Sequence, residues 1–231
     1  VSRLPQNALG RVLVNQARQL GVDTSHVVWS RDDRMGIYFL EFGSAPRPST
    51  VLYDRKNSAM SRIRPGEVDW DSALAGAKLF ETSGITPALS PGAAEATAEA
   101  LRIARQKGLK TVYDPNYRST LWPKGEAVET LGPVLGHVDV LITTIEDMAE
   151  LYGMGAGGLG PAAIINGDLE RLDDEALRAF MSELLDRFGV SIVGLTIRYP
   201  DSFEAHRWES AAMDKNGNFF RSPSILNITL W

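Results

Sequence analysis

Between Lys78 and Tyr113 the chain reads strand, helix, strand, and no other stretch constrains the fold as strongly. An apolar run over 78–86 ends in S-G-I-T-P. Ser90 then offers a hydroxyl to cap a helix, and Pro91 sits in the first turn, where its missing N–H costs nothing. The helical pattern runs to Lys107 and stops at Gly108, and 109–113 is a second short apolar run. Two strands joined this way lie parallel with a right-handed crossover, because a twisted strand feeding a right-handed helix packs back onto its sheet only in that sense.

The alternation continues downstream. Residues 139–144 predict a third strand, 145–152 a short helix, 173–188 a longer helix opened by Asp173, and 191–197 a fourth strand. Runs at 203–213 and 218–221 predict a hairpin around Asn216-Gly217, a pair that tolerates the left-handed turn conformation. Upstream, Leu9, Val12, Leu13, Ala17 and Leu20 recur at helical spacing before Gly21. Three β-like runs follow at 26–30, 35–42 and 50–55, the last two joined by a loop holding Gly43, Pro46 and Pro48. The expected fold is α/β: a mostly parallel open sheet flanked by helices, with a small β lid at about 25–57. In such sheets ligands bind beyond the carboxyl ends of the strands.

Composition removes several function classes. The formal net charge of −5 argues against a nucleic-acid surface or an anionic-membrane patch. The absence of cysteine excludes disulfides, thiolate metal sites and cysteine nucleophiles, and suits a reducing cytoplasm. No apolar run reaches membrane-span length and no signal peptide opens the chain. His26, His137 and His206 lack partners at metal spacing; the first reads as a strand-edge residue and the other two as surface residues. There is no G-x-S-x-G elbow. The run G-M-G-A-G-G-L-G at 153–160 matches G-x-G-x-x-G twice, yet a helix precedes it and no clear amphipathic helix follows. A dinucleotide fingerprint needs a strand before and a helix after, so the cluster reads as a flexible loop.

The polar chemistry concentrates at 113–118, Y-D-P-N-Y-R, where the second strand of the βαβ unit ends. Asn116, Tyr117 and Arg118 follow a buried strand directly, with Pro115 stiffening the turn; a guanidinium fork there suits a carboxylate or a phosphate. Asp114 also reads simply as the residue that shapes the turn. Tyr38, Tyr53 and Arg55 stand on the small β element, where tyrosines commonly serve packing. Thr144 and Asp147 close the third strand and open the next helix, a pattern a helix cap with an acidic first turn would also give.

Together these segments resemble the ribokinase (PfkB) superfamily of sugar kinases, and within it the 2-keto-3-deoxygluconate kinases. The resemblance is carried by L-G-V-D-T-S-H-V at 20–27, G-I-Y-F at 36–39, Y-D-R at 53–55, S-G-I-T-P-A-L-S-P at 83–91 and D-P-N-Y-R at 114–118 with Leu121-Trp122 behind it. It implies transfer of the γ-phosphate of ATP, with Mg2+, to a hydroxyl of a small sugar acid. Fructose, ribose or a nucleoside as acceptor is the alternative within the fold, and a non-catalytic sugar-binding protein the alternative outside enzymes. By this resemblance Tyr38, Tyr53 and Arg55 hold the acid, and Arg118 reaches it as the catalytic arginine. Asn116, Tyr117, Thr144 and Thr196 line the nucleotide side, and Asp147 serves the metal. The lid would also form a homodimer contact.

Two departures accompany the resemblance. Where the superfamily has N-x-x-E, this chain reads T-x-x-D over 144–147, which keeps a carboxylate and shortens it. The glycine-rich G-A-G-D-type segment, whose amides cradle the transferring phosphate and whose Asp is the base, is absent from the 231 residues. The chain is therefore expected to be a piece of such a kinase, cut at both ends, and inactive as given.

Overall fold

The computed structural model describes residues 1–44, 47, 49–169, 172–200 and 205–229. A short strand β1 (Ser2–Pro5) opens the chain and leads into helix α1 (Ala8–Gln19), whose first turn is capped by the Asn7 side chain accepting from the Gly10 N–H at 3.1 Å. Strand β2 (Val27–Ser30) pairs parallel with β1 as a separate two-stranded sheet. The segment expected to form one lid at 25–57 divides in two: β2 pairs with β1, whereas β3 (Ile37–Glu41) and β4 (Thr50–Asp54) form a hairpin of their own. Strand β1 is an addition: it is defined by its pairing with the distant β2, which no local pattern records. Pro46 and Pro48 of the connecting loop lie outside the described residues.

A single-turn helix α2 (Trp70–Ala73) precedes the βαβ unit, formed by β5 (Leu79–Ser83), α3 (Pro91–Gln106) and β6 (Lys110–Asp114). Ser90 caps α3 as expected, accepting from the Ala93 N–H at 3.1 Å. Then follow α4 (Lys124–Leu135), β7 (Val140–Thr143), α5 (Ile145–Tyr152), α6 (Pro161–Ile165), α7 (Asp174–Phe188), β8 (Ile192–Pro200), β9 (Ala205–Asp214), β10 (Phe219–Arg221) and β11 (Ile225–Thr229). The main sheet runs β10-β9-β8-β7-β6-β5, with β11 also on β9; β5 to β8 are mutually parallel and β9 turns antiparallel. The four parallel strands and the hairpin around Asn216-Gly217 are as the sequence predicts. Helix α4 is an addition: Gly125, Gly132 and Pro133 blur its helical pattern, yet Ala127, Leu131 and Val134 bury one side of it. Among the described residues no helix is long and apolar enough to cross a membrane.

Two apolar clusters hold the layers. The larger joins Tyr113, Leu131, Leu141, Ile145, Met181 and Leu195; the smaller lies under α3, where Ala93, Ala96, Ala100 and Ala104 let the helix sit close to Trp70 and Leu109. On β8, Val193, Leu195, Ile197 and Tyr199 are buried while Thr196 and Arg198 are exposed, the alternation of a strand packed on one face. Two local expectations change. The 153–160 glycine run is a tight turn rather than a loose loop: Gly153 ends α5 at φ +67°, Ala156 and Leu159 bridge, and Met154 and Ala156 are buried. His206 is buried on β9, not on the surface, because it sits between two hydrogen-bonded neighbour strands.

Candidate active site

The parallel strands β5 and β6 run side by side, so S-G-I-T-P and D-P-N-Y-R leave the sheet at adjacent positions, with Ser83 opposite Asp114. Contact between the two loops is close. The Gly84 N–H donates to the Asp114 carbonyl at 2.7 Å, and a Cβ built on Gly84 would lie 1.9 Å from the Pro115 carbonyl oxygen. Only glycine fits there. Asn116 then adopts φ +42°, an uncommon conformation for a residue with a side chain, and its N–H donates to Asp114 Oδ1 at 2.8 Å. Strain of this sort persists where surrounding structure fixes the backbone, and here it aims Tyr117 and Arg118 past the strand end.

Tyr117 folds inward: its side chain is buried and its hydroxyl donates to the Trp122 carbonyl at 3.4 Å. Its N–H donates to Asp147 Oδ2 at 3.2 Å, tying this loop to the start of α5. Thr144 accepts from the Asp147 N–H at 3.0 Å, so its hydroxyl caps α5 as the plainer reading expected. Asp147 is thus held from both sides. Burial pushes its carboxyl up to about 6, with repulsion from Asp114 and Glu146 adding to the effect and the Tyr117 N–H and Arg118 opposing it. Burial likewise raises Asp114, against the Asn116 N–H and Arg118. Arg118 is exposed; its Nη1 donates to the carbonyl of the preceding residue, Tyr117, at 2.7 Å, and its charge acts on both aspartates. Sequence reasoning missed Glu146, half-buried and raised by burial while Arg198 opposes the shift. The signal was present in the consecutive acids of T-I-E-D at the mouth of a parallel strand. Thr196 lies exposed on β8 opposite Ser210.

The β3–β4 hairpin supplies the other wall. Tyr38 and Tyr53 are cross-strand neighbours with ring centroids 6.1 Å apart, and the Arg55 guanidinium lies 3.8 Å over the Tyr53 ring. Arg55 faces two adjoining spaces. One, of about 190 Å³, is lined by Tyr38, Arg3, Ser58 and Ile85 of the S-G-I-T-P loop; the other, of about 600 Å³, is lined by Tyr53, Lys56, Leu89, Thr120 and Leu121. Arg118 does not itself line either space, although Thr120 and Leu121 two and three residues beyond it do. Among the described residues Arg55 has no ion-pair partner.

No group of three or more acidic, histidine or cysteine side chains converges on a cation site among the described residues. Magnesium commonly takes only one or two carboxylates and completes its octahedron with water and phosphate oxygens. Asp147, whose raised proton affinity marks a negative charge without full compensation, fits that partial role.

A parallel sheet whose strand ends meet a β lid across an arginine-lined cleft is a ribokinase-like architecture. The comparisons agree, and the chain belongs to the pfkB family of carbohydrate kinases, whose model matches residues 1–158. It is 38% identical over 170 residues to a 2-dehydro-3-deoxygalactonokinase of Haloferax volcanii, covering 74% of this chain and 53% of that protein. Over 157 residues it is 36% identical to a 2-dehydro-3-deoxygluconokinase of Thermoproteus tenax, covering 67% and 47%. The crystal structure of a 2-dehydro-3-deoxygluconokinase from Thermotoga maritima superposes with a TM-score of 0.86 at 34% identity, covering 98% of this chain and 65% of the other. The chain thus spans about half the length of these two curated relatives.

Proposed function

We propose that the protein is an ATP-dependent kinase whose acceptor is a small sugar acid, 2-keto-3-deoxygluconate or its galacto epimer. The observation that carries this reading is Arg55. It is a half-buried guanidinium, stacked on Tyr53, facing the cleft and paired with no carboxylate among the described residues. Leaving a cation desolvated and unpaired is costly, so the space it faces suits an anion. Tyr38 and Tyr53 hold the acid with it. Arg118, at the end of β6, reaches the acceptor where phosphate arrives. Asn116, Tyr117, Thr144 and Thr196 flank the nucleotide side, and Asp147 contributes to the Mg2+ that accompanies ATP. Phosphoryl transfer depends mainly on positioning and charge stabilisation, which this set of groups supplies on the acceptor side.

The 231 residues contain no G-x-G-D segment, and on that observation the chain by itself binds the acid without transferring phosphate. The lid, with Phe39 and Leu52 opposite one another and more than half exposed, suits a contact with a second copy. The test is ATP- and Mg2+-dependent phosphorylation by the protein of the complete reading frame, with 2-keto-3-deoxygluconate, 2-keto-3-deoxygalactonate, fructose and ribose as acceptors. A preference for either neutral sugar would overturn the assignment. Sugar-dependent ATP consumption by the 231-residue chain would show that its own carboxylates include the base.

A further inference from the structure

Every described residue of β3 and β4 is exposed, and the two strands pair only with each other. A two-stranded hairpin without a packed face does not hold an orientation by itself. Tyr38, Tyr53 and Arg55 nevertheless have to stand at fixed distances from Ile85, Leu89 and Leu121, so the placement is decided at the hairpin's roots. There the side chain of Asp33 is only 5% exposed. It accepts from Arg3 Nη1 on β1, from the Ser30 hydroxyl at the end of β2, and from Arg62 Nη1 at 3.0 Å in the single helical turn 60–62 that follows the lid. Arg3 Nη1 also donates to the Ala59 carbonyl at 2.9 Å, and its Nε lies 3.3 Å from Glu67. One carboxylate therefore joins the chain entering the lid, the chain leaving it and the two strands of the body.

A second tie closes the hairpin on itself. The Arg34 guanidinium pairs with the Asp54 carboxylate and donates to the Lys56 carbonyl at 2.6 Å, and the Ala59 N–H donates to the Arg34 carbonyl at 2.8 Å. The Arg34 tie keeps β3 and β4 together. The Asp33 tie keeps the pair aimed.

We propose that Asp33 is a positioning residue that fixes the lid over the acid-binding cleft, touching no substrate itself. The proposal rests on the sugar-acid reading for its ligand and on the hairpin's roots for its geometry. Asp33→Asn keeps the volume and one acceptor oxygen while removing the charge that holds two arginines. Hydrogen exchange on the 231-residue chain is then expected to quicken for the amides of β3 and β4 and to stay unchanged in β6, β7 and β8. Apparent affinity scales with the fraction of molecules whose lid is in place, so a lid aimed correctly about a tenth of the time binds about tenfold more weakly. Calorimetric titration with 2-keto-3-deoxygluconate reads that loss. Should D33N not fold, Arg62→Gln removes one of the two ion pairs from its exposed side and carries the same test with a smaller expected change. Unchanged lid exchange would overturn the proposal, as would faster exchange spread over the whole chain or faster lid exchange with full affinity retained. If the unmodified chain binds no sugar acid, the functional reading falls, and the exchange measurement alone decides whether Asp33 holds the lid.

Discussion

Asp147→Asn is the most informative single substitution, since it removes a charge and little else. The amide keeps the size of the side chain and an oxygen for the Tyr117 N–H, 3.2 Å away in the parent. Burial first, then Asp114 and Glu146, push the parent carboxyl from 3.8 to about 6. A carboxyl whose folded value lies above its unfolded value binds its proton more tightly when folded. Its stabilising contribution is complete below pH 3.8 and is lost as pH rises through about 6. Every tenfold gain in proton affinity on folding corresponds to about 1.4 kcal/mol, so ionised Asp147 costs the fold about 3 kcal/mol above pH 7. D147N escapes that cost. Its advantage over the parent should be small near pH 4 and grow to about 3 kcal/mol by pH 7.5, or roughly 6–12 °C in melting temperature for a chain of this size. Urea unfolding followed by circular dichroism at pH 4.5, 6 and 7.5 measures it. A millimolar Mg2+ series should raise the parent's midpoint and leave that of D147N in place. A substitution that destabilises at pH 7.5, or an advantage constant across pH, would refute the reasoning.

Three further outcomes are expected. Gly84→Ala forces a Cβ to within 1.9 Å of a backbone oxygen, and should cost about 3 kcal/mol in urea unfolding together with the sugar-acid affinity. Gly66→Ala, whose Cβ meets nothing but whose φ is +79°, is the control for backbone strain alone. Tyr113→Phe deletes a buried hydroxyl that has no hydrogen-bond partner among the described residues, and should leave thermal stability equal or about 1 kcal/mol higher; a loss would reveal a partner for that oxygen. In the enzyme from the complete reading frame, Arg55→Ala should weaken the acid's binding about tenfold or more, whereas Arg118→Ala should lower turnover with little change in KM. Steady-state kinetics separates the two, and equal effects on both parameters would merge their roles.

How much of this was legible in the sequence depended on range. Ser90, Asp173 and Thr144 announce their helices because a cap is a contact across three residues, and the structure shows each one accepting its N–H. The parallel pairings of β5 with β6 and of β7 with β8 followed from helices read between them, whereas the helix joining β6 to β7 was not legible. What was hidden is what distance creates. The β1–β2 pairing joins segments about 25 residues apart, and nothing local in either four-residue strand specifies it. Glu146 and His206 owe their environments to neighbours that only folding brings near. The family resemblance singled out Arg55 and Asp147 as candidates, but neither it nor any periodicity could disclose the enclosure of Asp33.

The contact between Gly84 and Pro115 has a consequence for how the cleft can be reshaped. Two loops that meet with no room for a methyl group cannot be redesigned one at a time, since lengthening or turning either drives backbone into backbone. Libraries randomising 83–87 or 114–117 as separate cassettes will therefore return mostly unfolded clones. The freedom lies in side chains that face the adjoining spaces, Ile85 from one loop and, across from it, Tyr38 and Tyr53. A change of ligand would be sought by varying those three together above an untouched glycine–proline seam.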